Sequence, residues 1–245
     1  IWRTEKFHIY ENAWNVEGRT LRLLPSHDSA IEQIYEELDA HRRVYVTCET
    51  KVGAKAVEMQ ILIGNFKDGK RRNVLCITAD NKNKYKGLIS NPNKEIPLLF
   101  AGTSRINNDA HFTKPIHALI VSPIVDTGFS IGSKEDNENR FHTVIGVFNH
   151  HDKIYSGAKI KQALQRVRNA DSTYAFIQNF SASNHHDIEE ILSLIDELSP
   201  KDKARSNLEK LKRMVLKNKA ISDANRMLNV LALFDLGGWN VMKAT

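Results

Sequence analysis

Short runs of β-branched and aromatic residues alternate with amphipathic stretches along the first three quarters of the chain, and that alternation constrains the fold more than any other feature. Val44–Cys48, 74–78, 117–121, Thr143–Phe148 and 173–177 read as strands. Each is almost continuously apolar, so both of its faces are expected to be buried, the pattern of a parallel sheet covered by helices. Between them, Ile31, Ile34, Tyr35 and Leu38 follow a helix start at Ser26, and Ala54, Val57, Ile61 and Leu62 follow another at Glu49-Thr50-Lys51. A helix from about Ser156 leads to Arg166 and Arg168. Residues 98–101 read as a further strand, and 79–95 as a polar loop holding one short helix.

The two ends differ in character from this body. Residues 1–25 place Trp2, Phe7, Ile9, Tyr10 and Trp14 partly in period two and end at Pro25, which suggests an entry segment or a short hairpin. Residues 26–180 form the α/β unit. Residues 181–245 read as a helical appendage of three amphipathic helices, one following Asn184-His185-His186-Asp187, one opened by Ser199-Pro200, and one through Met227, Leu231 and Phe234 that stops at Gly237-Gly238. The chain begins at Ile1 rather than methionine, which suggests a piece of a longer polypeptide.

With 35 Lys and Arg against 29 Asp and Glu, the chain carries +6, and a basic surface fits a polyanion such as nucleic acid. No secretory signal opens it, and no apolar run approaches the ~20 residues that cross a bilayer. Cys48 and Cys76 lie in strand-like runs without metal-ligand spacing, as buried thiols in a reducing cytoplasm would. A disulfide between neighbouring strands is the less favoured alternative. The pairs His150-His151 and His185-His186 are poor metal sites, because adjacent side chains diverge, so no metal ligand is expected.

Two segments carry chemistry. Ser122-Pro123-Ile124-Val125-Asp126-Thr127-Gly128-Phe129-Ser130-Ile131 follows a strand and turns through a glycine, and Gln162-Ala163-Leu164-Gln165-Arg166-Val167-Arg168 places two arginines one residue apart beyond a helix. Ligands of parallel sheets gather at the carboxyl ends of the strands. The loops after Cys48, Thr78 and Val121 fall there, as does the start of the arginine helix. No G-x-x-x-x-G-K-[ST] cradle, paired-acid box, nucleophile elbow or dinucleotide fingerprint is present.

These residues resemble motifs V and VI of superfamily-two helicases, with Val44-to-Lys51 where motif IV should stand. The pairing looks most like helicase-type replication proteins of plasmids and phages, and origin-binding proteins of the herpesvirus type are similar. The resemblance covers about residues 26–180 and implies the second, C-terminal RecA-like lobe: a three-layer fold with a mainly parallel sheet. It implies ATP and Mg²⁺ as cofactors, held mainly by a first lobe on the same polypeptide. It also implies nucleic acid as partner, DNA before RNA, and the cytoplasm of a bacterial or phage-infected cell.

By the same resemblance Arg166 and Arg168 are catalytic, approaching the γ-phosphate as arginine fingers, which contribute 10³–10⁵ in rate in such systems. Gln162, Gly128 and Ser130 belong to the nucleotide cleft, and Ser122, Thr50 and Lys51 to the nucleic-acid contact. Gln165 replaces the family's usual glycine, and Ser130 an aspartate common in one branch. Without a phosphate loop, the chain by itself is expected not to hydrolyse ATP. The alternative is a non-catalytic nucleic-acid-binding module with a RecA-like core.

Overall fold

The computed structural model describes residues 19–67, 69–106, 110–111, 114–122, 130–132, 140–149, 157–178 and 226–244. Its centre is a seven-stranded sheet in which every pairing is parallel. In chain order the elements are β1 (Thr20–Leu24), α1 (His27–Asp39), β2 (Val44–Cys48), α2 (Lys51–Ile63), β3 (Val74–Ile77), α3 (Lys86–Ser90) and α4 (Pro92–Ala101). A two-stranded antiparallel pair, β4 (Arg105–Ile106) and β5 (Ala110–His111), comes next. Then follow β6 (Ala118–Val121), β7 (Thr143–Phe148), α5 (Gly157–Leu164), β8 (Ser172–Ile177), α6 (Arg226–Asp235) and β9 (Asn240–Lys243). Across the sheet the order is β3-β6-β2-β7-β8-β1-β9.

The expected three-layer α/β architecture of RecA-like type is the one the chain adopts. One face of the sheet packs Ile31, Ile34 and Leu38 of α1 and Ala54, Val57 and Ile61 of α2 against Val46, Cys48, Cys76 and Ile120. The other face packs Leu88, Ile96, Leu99, Phe100, Ile160, Leu164 and Phe234 from α3, α4, α5 and α6 against Tyr45, Ile77, Val121 and Val144. Burial of each such side chain contributes about 1.5–3 kcal/mol before conformational entropy is set against it. Every residue of β2, β6 and β7 is buried, as their unbroken apolar runs require.

Local chemistry sets the helix ends. Ser26 caps α1 by accepting the Ser29 N–H at 3.0 Å, and Thr50 caps α2 by accepting that of Gly53 at 2.9 Å. Gly102 ends α4 at φ 68°, and a Cβ there would come within 3.0 Å of the Lys114 and Pro115 backbone, so the position excludes a side chain twice over.

Three expectations change. Residues 98–101 are the last turns of α4 rather than a strand; Pro92 sits at the first helical position, and Ile96, Leu99 and Phe100 share a buried face at helical spacing. The entry segment is not wholly outside the body, because β1 pairs with β8. The tail is not wholly a helical appendage: after α6, residues 240–243 pair in parallel with β1 as the last strand of the sheet. The remaining tail helices, and residues 1–18, lie outside the described residues. No helix among the described residues is long and apolar enough to cross a membrane.

Candidate functional site

The parallel sheet gathers two sets of candidate residues and separates them. The first lies where β2, β6 and β3 end. Val121 pairs with both Thr47 and Ile77, and the Ser122 N–H donates to the Ile77 carbonyl at 3.0 Å, so Ser122 and Thr78 stand side by side just beyond the strand ends. Alternation along these strands carries the face of Ile120 and Cys76 on to Ser122 and Thr78. That face belongs to the α2 layer, where the Cys76 thiol reaches the Ala54 carbonyl at 3.8 Å. The first turn of α2, with Thr50 and Lys51, starts two residues after β2.

Ser122 is 3% exposed and Thr78 fully buried, and neither hydroxyl has a hydrogen-bond partner among the described residues. A buried hydroxyl without a partner costs about 1–3 kcal/mol, so each would gain from an acceptor brought within reach. The amides of α2's first turn and the positive end of its dipole favour an anion at the same place. The Lys51 ammonium is held 3.0 Å from the Asp80 carboxylate in a half-exposed pair. Such a pair is worth at most about 1 kcal/mol, so an incoming phosphate can compete for it. Asn81 fixes the neighbouring turn, accepting the Thr78 N–H and donating to the Cys76 carbonyl, both at 2.8 Å.

The second set surrounds the arginine turn. Helix α5 runs down the face of β7, pressed so close that a Cβ on Gly146 would sit 2.8 Å from Leu164 Cδ2. Beyond the helix the chain turns through Gln165 and Arg166, and Val167 makes a lone parallel bridge to Ile131. Ser130, Ile131 and Gly132, the last residues of the segment that begins at Ser122, therefore lie alongside Arg166, Val167 and Arg168. Gly132 (φ 101°) donates its N–H to Asn93 Oδ1 at 2.9 Å. The connection then enters β8, where the Asp171 N–H donates to the His142 carbonyl at the amino edge of the sheet.

Arg166 is 7% exposed, Arg168 is half-buried and Gln162 is exposed. The two sets thus occupy different places: Ser122, Thr50 and Lys51 lie at the carboxyl edge, whereas Ile131, next to Ser130, is tied to Arg166 and Arg168 on the way into the amino edge. Gly128, within the segment that links them, lies outside the described residues. Thr78 was missed in the sequence, where nothing separates it from the end of any buried strand; its signal is the unpartnered hydroxyl. Among the described residues no three His, Cys, Asp or Glu side chains converge as a metal site would need.

Fold and site together define an α/β protein whose parallel sheet gathers buried polar side chains, Ser122 and Thr78, at its carboxyl edge. In comparison with known proteins, no family model matches the chain and no curated protein matches it.

Proposed function

We propose that this chain is the C-terminal lobe of an ATP-dependent nucleic-acid helicase or translocase of superfamily two, acting in DNA replication. The observation that carries the reading is the division of labour along one segment. It leaves the sheet at Ser122, beside Thr78 and the start of α2, and arrives at Ile131, hydrogen-bonded to the arginine turn. One end is suited to a nucleic-acid phosphate and the other to a nucleotide phosphate. Ser122, Thr78, Thr50 and Lys51 hold the strand. Arg168, the more accessible of the pair, makes the first nucleotide contact. Arg166 reaches a phosphate only when closure against another lobe uncovers it.

The arginine turn fits the charge-neutralising half of an ATP site; among the described residues no pair of acids beside it offers the half that holds Mg²⁺. ATP supplies the phosphoryl chemistry when bound; the arginines contribute electrostatic stabilisation of charge that develops on it. The test is a polypeptide that carries this chain together with a phosphate loop and an acidic box. Its ATP turnover should be stimulated by single-stranded DNA and should fall at least 10²-fold with Arg168→Ala or Arg166→Ala. Turnover indifferent to both substitutions overturns the reading.

A further inference from the structure

At the amino edge, the loops at the β3 end of the sheet carry basic side chains that the proposed function does not use, well away from the arginine turn that leads into β8. Because all seven strands are parallel, the loops that enter them share one rim. Arg42 and Arg43 lead into β2, Lys114 into β6 and Arg140 into β7. The loop into β3 carries Lys67, Lys70, Arg71 and Arg72. Of these, Arg42 pairs with Glu37, Arg72 with Asp39 and Arg140 with Asp171, and Arg43 lies over the Phe100 ring, so the unspent charge falls in the loops entering β3 and β6.

The basic loop is built rather than loose. Asn65 bridges Arg71, and the Phe66 N–H donates to the Lys70 carbonyl at 2.9 Å. Phe66, 7% exposed, meets the His117 ring edge-on at 4.8 Å and the His41 ring at 5.7 Å. Arg72 is spent inside the protein, 2.8 Å from Asp39 and over the Tyr35 ring at 4.4 Å. Asn73 Nδ2 donates to the Lys114 and Pro115 carbonyls, joining this loop to the next. What the frame leaves outward is Lys67, Arg71 and Lys114, all exposed and in no ion pair among the described residues.

We infer that this amino-edge rim is a second nucleic-acid surface, which grips the backbone of duplex DNA while the carboxyl edge handles a single strand. The loops entering β3 and β6 are neighbours at strand spacing, about 5 Å apart, so Lys67, Arg71 and Lys114 can meet successive phosphates of one DNA strand. The frame fixes the backbone that carries these cations, so binding has less of the loop left to order. Among the described residues of the rim, Phe66, Phe100 and Phe141 are buried, so none offers an exposed ring to stack on a base, which fits backbone contact without base readout. With the proposed function it shares only the class of partner; it needs neither ATP nor the arginine turn.

The test measures binding of the 245-residue chain to a labelled 20-base-pair duplex between 50 and 200 mM salt. A triple variant, Lys67→Gln, Arg71→Gln and Lys114→Gln, should weaken binding about tenfold or more at low salt and flatten the log–log salt slope by about 3, one for each lost phosphate contact. A control triple with the same charge change, Lys82→Gln, Lys86→Gln and Lys94→Gln, should bind like the parent. Equal losses in the two triples, or none in the first, overturn the inference. So does rim-dependent binding to vesicles containing phosphatidylserine with no binding to the duplex. Loss of single-stranded DNA binding in Lys51→Ala with duplex binding unaffected by the rim triple leaves the proposed function standing and removes this surface alone.

Discussion

Ile131 and Val167 form a parallel bridge far from the strands that precede them: the Ile131 N–H donates to the Arg166 carbonyl at 2.8 Å, and the Arg168 N–H returns to the Ile131 carbonyl at 2.9 Å. Both arginines thus have their backbone fixed by the segment that starts at Ser122. Gly132, next in line, is held at φ 101°, and a Cβ there would overlap the Asn169 side-chain amide. Gly132→Ala is therefore expected to cost about 2–4 kcal/mol, joining backbone strain to a clash. Gly69→Ala, at φ 78° with nothing within 4 Å of its Cβ, should cost only about 1 kcal/mol. Urea unfolding of the two variants separates the terms. Hydrogen exchange at the Ile131 and Arg168 amides should speed up in the first variant alone.

At the carboxyl edge, stability and binding should move in opposite directions. The Ser122 and Thr78 hydroxyls are buried without partners among the described residues. Ser122→Ala and Thr78→Val remove that desolvation cost and should leave the melting temperature unchanged or raise it by a few degrees. Single-stranded DNA should meanwhile bind about tenfold more weakly to each, the loss of one hydrogen bond to a charged phosphate. A variant that loses stability and keeps its affinity shows that the hydroxyl serves packing and not a ligand.

Much of this arrangement was legible in the sequence, and the misses have physical causes. The central strands β2, β6 and β7 are buried on both faces and so announce themselves as unbroken apolar runs. The two strands at the β9 end of the sheet do not. In β9 the residues Asn240, Met242 and Lys243 are exposed and only Val241 is half-buried, and β1 alternates irregularly around Arg22, whose guanidinium lies over the Tyr174 ring. The Leu98-Leu99-Phe100-Ala101 run looked like a strand because the prolines at 92 and 97 hid the helical period. Motif spacing placed Ser122, Thr50 and Lys51 at one rim. It carried no information on the burial of Arg166, which depends on packing from several distant segments.

Acid should destabilise the fold through two histidines at the amino rim. His142 Nδ1 accepts the Arg43 N–H at 2.9 Å, and His117 Nδ1 accepts that of Asn73 at 2.8 Å. Burial holds both imidazoles below the usual histidine range, helped at His117 by His41, Arg43 and Arg72 and at His142 by Arg43, Arg140 and Arg42 and opposed there by Asp171. Since the folded pKa lies below the unfolded value near 6.5, the unfolded chain binds more protons in this window, and stability falls as pH drops from 6.5 toward the folded values. Unfolding midpoints at pH 7 and pH 5 should differ. His117→Asn with His142→Asn, which keeps an acceptor that does not titrate, should flatten that difference; an unchanged pH profile contradicts the assignment.

The two thiols should be inert in the native protein. Cys48 and Cys76 are buried and free, on strands separated by β6, and burial pushes Cys76 up to about 12 and Cys48 higher still. At pH 8 the thiolate fraction of either is then negligible, and the thiolate is the species that attacks a disulfide reagent. Ellman's reagent should modify neither cysteine in the folded chain and both in 8 M urea. The reaction rate in intermediate urea should track the unfolded fraction, so it also reports how much the Gly132 and Ser122 variants loosen the body. Fast labelling of Cys76 in the native state would place that thiol in an open path beside α2, contrary to its contact with the Ala54 carbonyl.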